Sequence, residues 1–248
     1  MKEDPEVTRL IAELERLKRE GNVQGVMTKL GGLFKTVSRT FRPTDLAHSL
    51  QTLRGTIAAL KGDTDRCQAR FEEAFKVWLP DSKNQDAYGL LQFELRQLIR
   101  AFFSEVDGTV YSARQVILWA HERDEIELSI PETALLREET YRFDQKSKTA
   151  QARPAFNSTL DSFLLTFTIL PRLFKAASTL DLSQYGWQAF RELLGIRHAV
   201  THPKKLVYLV ADANIITKIL PAARVWYYTS LLAAVHDPLL PAVVHGAA

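Results

Sequence analysis

The chain has 248 residues, 46% of them hydrophobic and 25% charged, the composition of a folded protein with room for one large or two small cores. A net charge of +3 is too small for a general nucleic-acid coat, and a single cysteine, Cys67, excludes an internal disulfide and a thiolate metal cage. No apolar signal region opens the sequence, and the apolar run 226–235 is too short for a membrane span, so a reducing, cytoplasmic setting without a membrane partner is expected.

Helical periodicity begins at once. Val7, Leu10, Ile11, Leu14 and Leu17 line one face of a predicted helix over 5–20, ended by Gly21 and Asn22, and a second helix covers 23–40. The turn around Pro43 offers Thr44 or Asp45 as a cap for a helix over 45–61. Gly62 and Asp63 are expected to break it, and a further helix over 64–78 closes at Pro80. From 84 to about 123 leucines and aromatics recur at three- and four-residue spacing, predicting one very long helix, with Asp107 and Gly108 as a candidate bend.

Pro131 starts a predicted helix over 131–147, mostly solvated, and the polar stretch 145–154 reads as a mobile loop. A strongly apolar helix over 157–178 follows, capped by Asn157 or Ser158 and kinked at Pro171. Asp181 or Ser183 is the expected start of the next helix, 206–209 a short apolar connector, and Asp212 the cap of a last helix kinked or broken at Pro221. No strand alternation runs longer than a few residues. The expected fold class is all-α: N-terminal helical hairpins over 1–80, packed with an up-and-down bundle of four to five helices over 84–235, and a C-terminal tail over 236–248.

The stretch 187–204 carries the chemistry. Phe190, Leu193, Leu194 and Ile196 give it an apolar stripe at helical spacing. Arg197 and His202 lie about 140° apart on an unbroken helix and do not meet there. Pro203, however, disfavours helical geometry at His202, so the chain is expected to leave the helix and swing the imidazole back toward the guanidinium. A permanent cation beside a group that titrates near neutrality suits phosphodiester chemistry. Arg191, Lys204 and Lys205 add a local basic surface able to hold RNA phosphates. His198 and His202 share helical spacing with a zinc pair, but no glutamate of the His-Glu-x-x-His kind and no third ligand accompany them, so no metal is assigned.

Arg197, a polar His198, three further residues and His202 before Pro203 resemble the Arg-X4–6-His motif of HEPN-domain ribonucleases, a resemblance covering about residues 84–235. Leu60 to Asp63 with Cys67, Phe71, Ala74, Phe75 and Pro80 more weakly resembles one tetratricopeptide-like hairpin. The HEPN resemblance implies a metal-independent, cofactor-free endoribonuclease in which the RNA 2′-hydroxyl attacks the adjacent phosphorus. His202 would transfer protons and Arg197 would hold the phosphate, supported by His198 and Thr201. An acidic residue on the first bundle helix fixes the guanidinium in some members, and Glu105 is the candidate here. Active members pair two Arg-His sets across one cleft, so a homodimer or a HEPN-like partner chain is expected, as in toxins or defence effectors restrained by an inhibitory protein partner. A second reading stays open on the residues alone: Arg197 and His202 make surface hydrogen bonds, and the chain is a helical adaptor, or a non-cutting RNA- or nucleotide-binding bundle, docked through its N-terminal hairpins.

Overall fold

The computed structural model describes residues 45–144, 148–155, 157–178, 180–202 and 212–235, together with Arg9, Ala12, Glu13 and Arg16, which are helical. The rest of the helix expected over 5–20, the helix over 23–40, the connector 206–209 and the tail 236–248 lie outside the described residues. The chain divides into two compact units, Met1–Ser49 and Leu50–Ala248, and the break expected near residue 80 falls within the second. The described residues form α1 (Leu46–Trp78), α2 (Gln85–His121), α3 (Ile130–Leu136), α4 (Thr159–Ile169), α5 (Tyr185–Thr201) and α6 (Leu220–Val235), with one antiparallel ribbon, β1 (Glu139–Asp144) and β2 (Thr149–Pro154). The fold is all-α apart from that ribbon.

α1 is one helix where two were expected. Leu53, Ile57, Lys61, Thr64, Phe71 and Ala74 are buried at spacings that keep a single face in register straight through Gly62 and Asp63. Gly62 costs about 1 kcal/mol against alanine in a helix interior, too little to break a helix with buried side chains on both sides of it. The tetratricopeptide-like turn at that position is therefore absent.

α2 matches its periodicity, with Leu91, Leu95, Leu98, Phe102, Val106 and Val110 buried along it and Asn84 accepting from the Asp86 and Ala87 N–H groups at its start. The helix runs unbroken through Gly108; a Cβ there would lie 2.5 Å from Leu60 Cδ1 of α1, so the glycine admits a close side chain. Against α2 rests an aromatic core. Phe102 meets Tyr227 of α6 edge to face at 5.5 Å, Phe103 lies 5.5 Å from Phe190 of α5, and Phe163 stacks on Phe167 within α4 at 4.3 Å. Gly186 lets α5 approach α6, since a Cβ there would fall 2.5 Å from Trp226 Cβ.

The helix expected over 131–147 stops early. Ser129 and Glu132 form a reciprocal capping box that opens α3, and Glu138, at a left-handed φ of 54°, turns the chain out of it. Glu139 to Asp144 then pair with Pro154 to Thr149. The polar stretch expected as a loop thus supplies a strand, exposed along its whole length. Thr140, Tyr141 and Thr149 favour extended backbone, and no core-facing stripe offsets that preference. Ser158 caps α4, and at Pro171 the helix gives way to a 3-10 turn, Leu170–Phe174. α5 begins at Tyr185 behind Gln184, with Asp181 instead holding the Ser183 N–H and hydroxyl. Asp212 accepts from the Ile215 N–H ahead of a π turn, Ile215–Ile219, that leads into α6.

Candidate functional site

α5 runs through Thr201, and His202 leaves helical geometry at φ −126°, ψ 66°, with its N–H still donating to the His198 carbonyl at 3.0 Å. The last carbonyls of a helix have no partner within it. Here Arg100 of α2 supplies one, its Nη2 donating to the Val200 carbonyl at 2.7 Å, which also sets a cation at the negative end of α5. The end of α5 is thus tied to α2 beside the place where His202 turns outward. Thr201 and the His202 imidazole are exposed there.

One turn back, Arg197 Nη2 donates to Asp107 Oδ2 of α2 at 3.2 Å. Burial pushes the Asp107 carboxyl above its ordinary value, and Arg197, the Thr159 hydroxyl and His198 each pull it back. That balance gathers Asp107, Arg197, His198 and Thr159 into one cluster made by α2, α4 and α5. Among the described residues no hydrogen bond joins Arg197 to His202. Glu105 takes a different place from the one expected. Two residues from Asp107, it is about 200° around the helix, fully buried, and accepts from the Tyr228 hydroxyl at 3.1 Å. The carboxylate that fixes the guanidinium is Asp107.

Asp107 also lines a cleft of about 250 Å³. Tyr111 and Arg114 of α2 line it together with Glu138, Asn157, Thr159 and Ser162. Arg114, 7% exposed, spends Nε and Nη2 on the Leu136 carbonyl at 3.0 and 2.6 Å and Nη1 on Glu138 Oε1 at 2.9 Å. Asn157 gives its Nδ2 to the Leu135 carbonyl at 2.9 Å. Tyr111 is 61% exposed.

Arg191 lies earlier on α5, exposed, its guanidinium 6.0 Å from the Trp187 ring centre. Lys204 and Lys205 lie outside the described residues. Arg96 and Arg100 extend the positive surface along α2; burial first and then the Arg100 charge lower the Arg96 pKa. Neither these two nor Asp107, Tyr111 and Arg114 stood out in the sequence. The signal was present: Arg96, Arg100, Asp107, Tyr111 and Arg114 follow one another at spacings that keep them near one edge of α2, a polar ridge beside an apolar face.

Among the described residues no group of three or more His, Cys, Asp and Glu side chains is placed to hold a metal ion, and no helix is long and apolar enough to cross a membrane. No protein-family model matches the chain, and comparison with curated proteins and with solved structures finds no match.

Proposed function

We propose that the chain is a metal-independent endoribonuclease of HEPN type. The observation that carries this reading is the Arg197–Asp107 pair: a carboxylate on the long bundle helix orients a part-exposed guanidinium close to the helix end from which an exposed histidine emerges. Arg197 holds the scissile phosphate and stabilises charge growing on its oxygens. The 2′-oxygen forms a bond to phosphorus, the bond from phosphorus to the 5′-oxygen breaks, and the products are a 2′,3′-cyclic phosphate and a 5′-hydroxyl. His202 takes the 2′-proton or delivers one to the leaving oxygen. Two transfers need two imidazoles, so a second copy, or a related chain, completes the cleft. Asp107 is a positioning residue acting through Arg197.

The test is RNA cleavage by wild type, Arg197→Ala and His202→Ala, with mapping of product ends and of molecular mass in solution. Loss of cutting in both variants with fold retained, cyclic phosphate ends and a dimeric mass support the proposal. Equal cutting by all three, or a strict monomer that cuts nothing, overturns it.

One observation favours the adaptor reading. A groove of about 390 Å³ lies between α1 and α2, its floor of Ala69, Ala74, Val77 and Leu90 flanked by Arg70, Glu72, Glu73 and Glu94, with Val77 60% exposed. A cell in which Arg197→Ala and His202→Ala leave the protein's effect unchanged selects that reading.

A further inference from the structure

The cleft beside Asp107 has a composition that points to one ligand chemistry. Two of the lining side chains are held in place: three guanidinium nitrogens of Arg114 donate to Leu136 and Glu138, and the Asn157 amide donates to Leu135. The acceptors of the lining are the Glu138 carboxylate, whose Oε1 keeps a lone pair beside its bond to Arg114, the Asn157 amide oxygen and Asp107, with the hydroxyls of Tyr111, Thr159 and Ser162 among them. Their buried cationic support is Arg114, more than nine-tenths buried and locked in three hydrogen bonds. The Tyr111 ring, 61% exposed, stands on the same wall. A flat platform beside fixed acceptors suits a planar group that presents N–H donors along one edge.

The position of the cleft supplies the identity. Asp107 belongs both to the Arg197 pair and to the cleft wall. Tyr111 sits one helical turn further along α2, about 6 Å on, the scale of a single nucleotide step. Arg96 and Arg100 lie on the same ridge in the opposite direction. A strand laid along α2 would therefore meet two arginines, then the guanidinium that holds the phosphate, then an aromatic ring with acceptors beside it. Unpaired RNA bases are read by this combination of stacking and hydrogen bonds to the Watson–Crick edge.

We infer that this cleft is a nucleobase subsite, that it takes a guanine next to the scissile phosphate, and that Tyr111 stacks on the base while Glu138 receives its adjacent N1–H and N2–H. Guanine is selected because it alone among the four bases offers two neighbouring donors to one carboxylate; uracil offers a single N–H flanked by two carbonyls, which the carboxylate repels. The inference rests on the ribonuclease reading for the ligand being RNA, and its test does not depend on cutting. Single-stranded oligonucleotides carrying 2′-fluoro groups cannot supply the attacking hydroxyl. One with guanosine at a single position in an otherwise uridine strand is compared with the all-uridine strand by fluorescence anisotropy.

Wild type is expected to bind the guanosine strand about tenfold or more tightly, the range by which one bidentate contact to a base edge discriminates. Tyr111→Ala loses that gain, Tyr111→Phe keeps it, and Glu138→Gln levels the two strands without weakening the uridine strand. Equal binding of both strands by wild type, or a guanosine preference unchanged in Tyr111→Ala and Glu138→Gln, overturns the inference. Tyr111 is exposed, so Tyr111→Ala stays folded and informative even if Glu138→Gln disturbs Arg114. Cutting of natural RNA with no base preference removes the subsite and leaves the nuclease. A Tyr111-dependent guanosine preference without any cutting removes the nuclease and leaves the subsite.

Discussion

Arg197 of α5 and Asp107 of α2 meet at 3.2 Å, with their side chains 27% and 40% exposed. A pair this open adds only about 0–1 kcal/mol to stability. Its value lies in direction, because Asp107 fixes where the guanidinium points. Asp107→Asn is therefore expected to leave the melting temperature nearly unchanged and to slow RNA cleavage about 10- to 100-fold, the effect of a misplaced reacting group. The pH profile separates positioning from mere bulk. Burial raises the Asp107 pKa above its ordinary 3.8, so the carboxylate is protonated, and Arg197 loses its ionic partner, at a higher pH than an ordinary aspartate would require. Wild type should show that acid limb in its cleavage rate and Asp107→Asn should lack it. Identical acid limbs in the two proteins would remove Asp107 from the site.

Arg100 does for the backbone what Asp107 does for the side chain. Its bond to the Val200 carbonyl anchors the last turn of α5, from which His202 departs. Arg100→Ala is expected to destabilise the protein by about 1–2 kcal/mol, the range for a charged donor at a helix C-terminus. It should also raise amide exchange at His202, whose N–H donates to His198. Unchanged exchange at His202 would mean that the helix end holds itself.

The sequence and the structure agree where one periodic signal dominates. The apolar recurrence from 84 to 123 outweighs everything else in that stretch and becomes α2, Gln85–His121. Pro203 removes helical geometry from His202, as a proline does to the residue before it. Agreement fails where two weak signals compete. Glycine at 62 is a breaker by propensity, yet burial on both sides of it holds α1 together. Residues 139–144 have charges that suit a solvated helix, but a left-handed Glu138 and extended-favouring side chains decide for a ribbon. In the sequence Asp107 reads as half of an Asp-Gly bend, and Glu105 answers the acidic residue that the HEPN resemblance implies on the first bundle helix. Which of two carboxylates, two residues apart, faces α5 depends on the rotation of α2 within the bundle, and that is fixed by packing against the helices around it.

The glycines give that contrast a measurable form. No heavy atom lies within 4 Å of a Cβ at Gly62, in mid-helix, so Gly62→Ala is expected to stabilise the protein by roughly 0.5–1 kcal/mol. Had the chain turned there, the same change would destabilise it. Gly186→Ala runs the other way. Its Cβ would stand 2.5 Å from Trp226 Cβ and 3.1 Å from the Ala222 carbonyl oxygen, neither of which is the free end of a flexible side chain. A loss of about 1–3 kcal/mol is expected from that overpacking. Denaturant midpoints for the two variants check both signs.

Glu105 has its own consequence, away from the site. It is fully buried, with one carboxylate oxygen accepting from Tyr228 of α6 and the other without a partner. Thr64 and Lys61 face it from α1 and Arg224 from α6, and these neighbours hold its pKa down, but burial outweighs them and leaves it raised above 4.5. A carboxyl whose folded pKa is raised keeps its proton longer in the folded state than in the unfolded one. Its contribution to stability is whole below about pH 4.5 and is lost as pH climbs through the folded value. Glu105→Gln keeps an acceptor for Tyr228 and removes the ionisation. The variant should match wild type near pH 4 and exceed it increasingly toward pH 8, read as denaturant midpoints across that span. A variant that instead weakens as pH rises would show that the ionised carboxylate, paired with Lys61 and Arg224, is what holds α1 and α6 against α2.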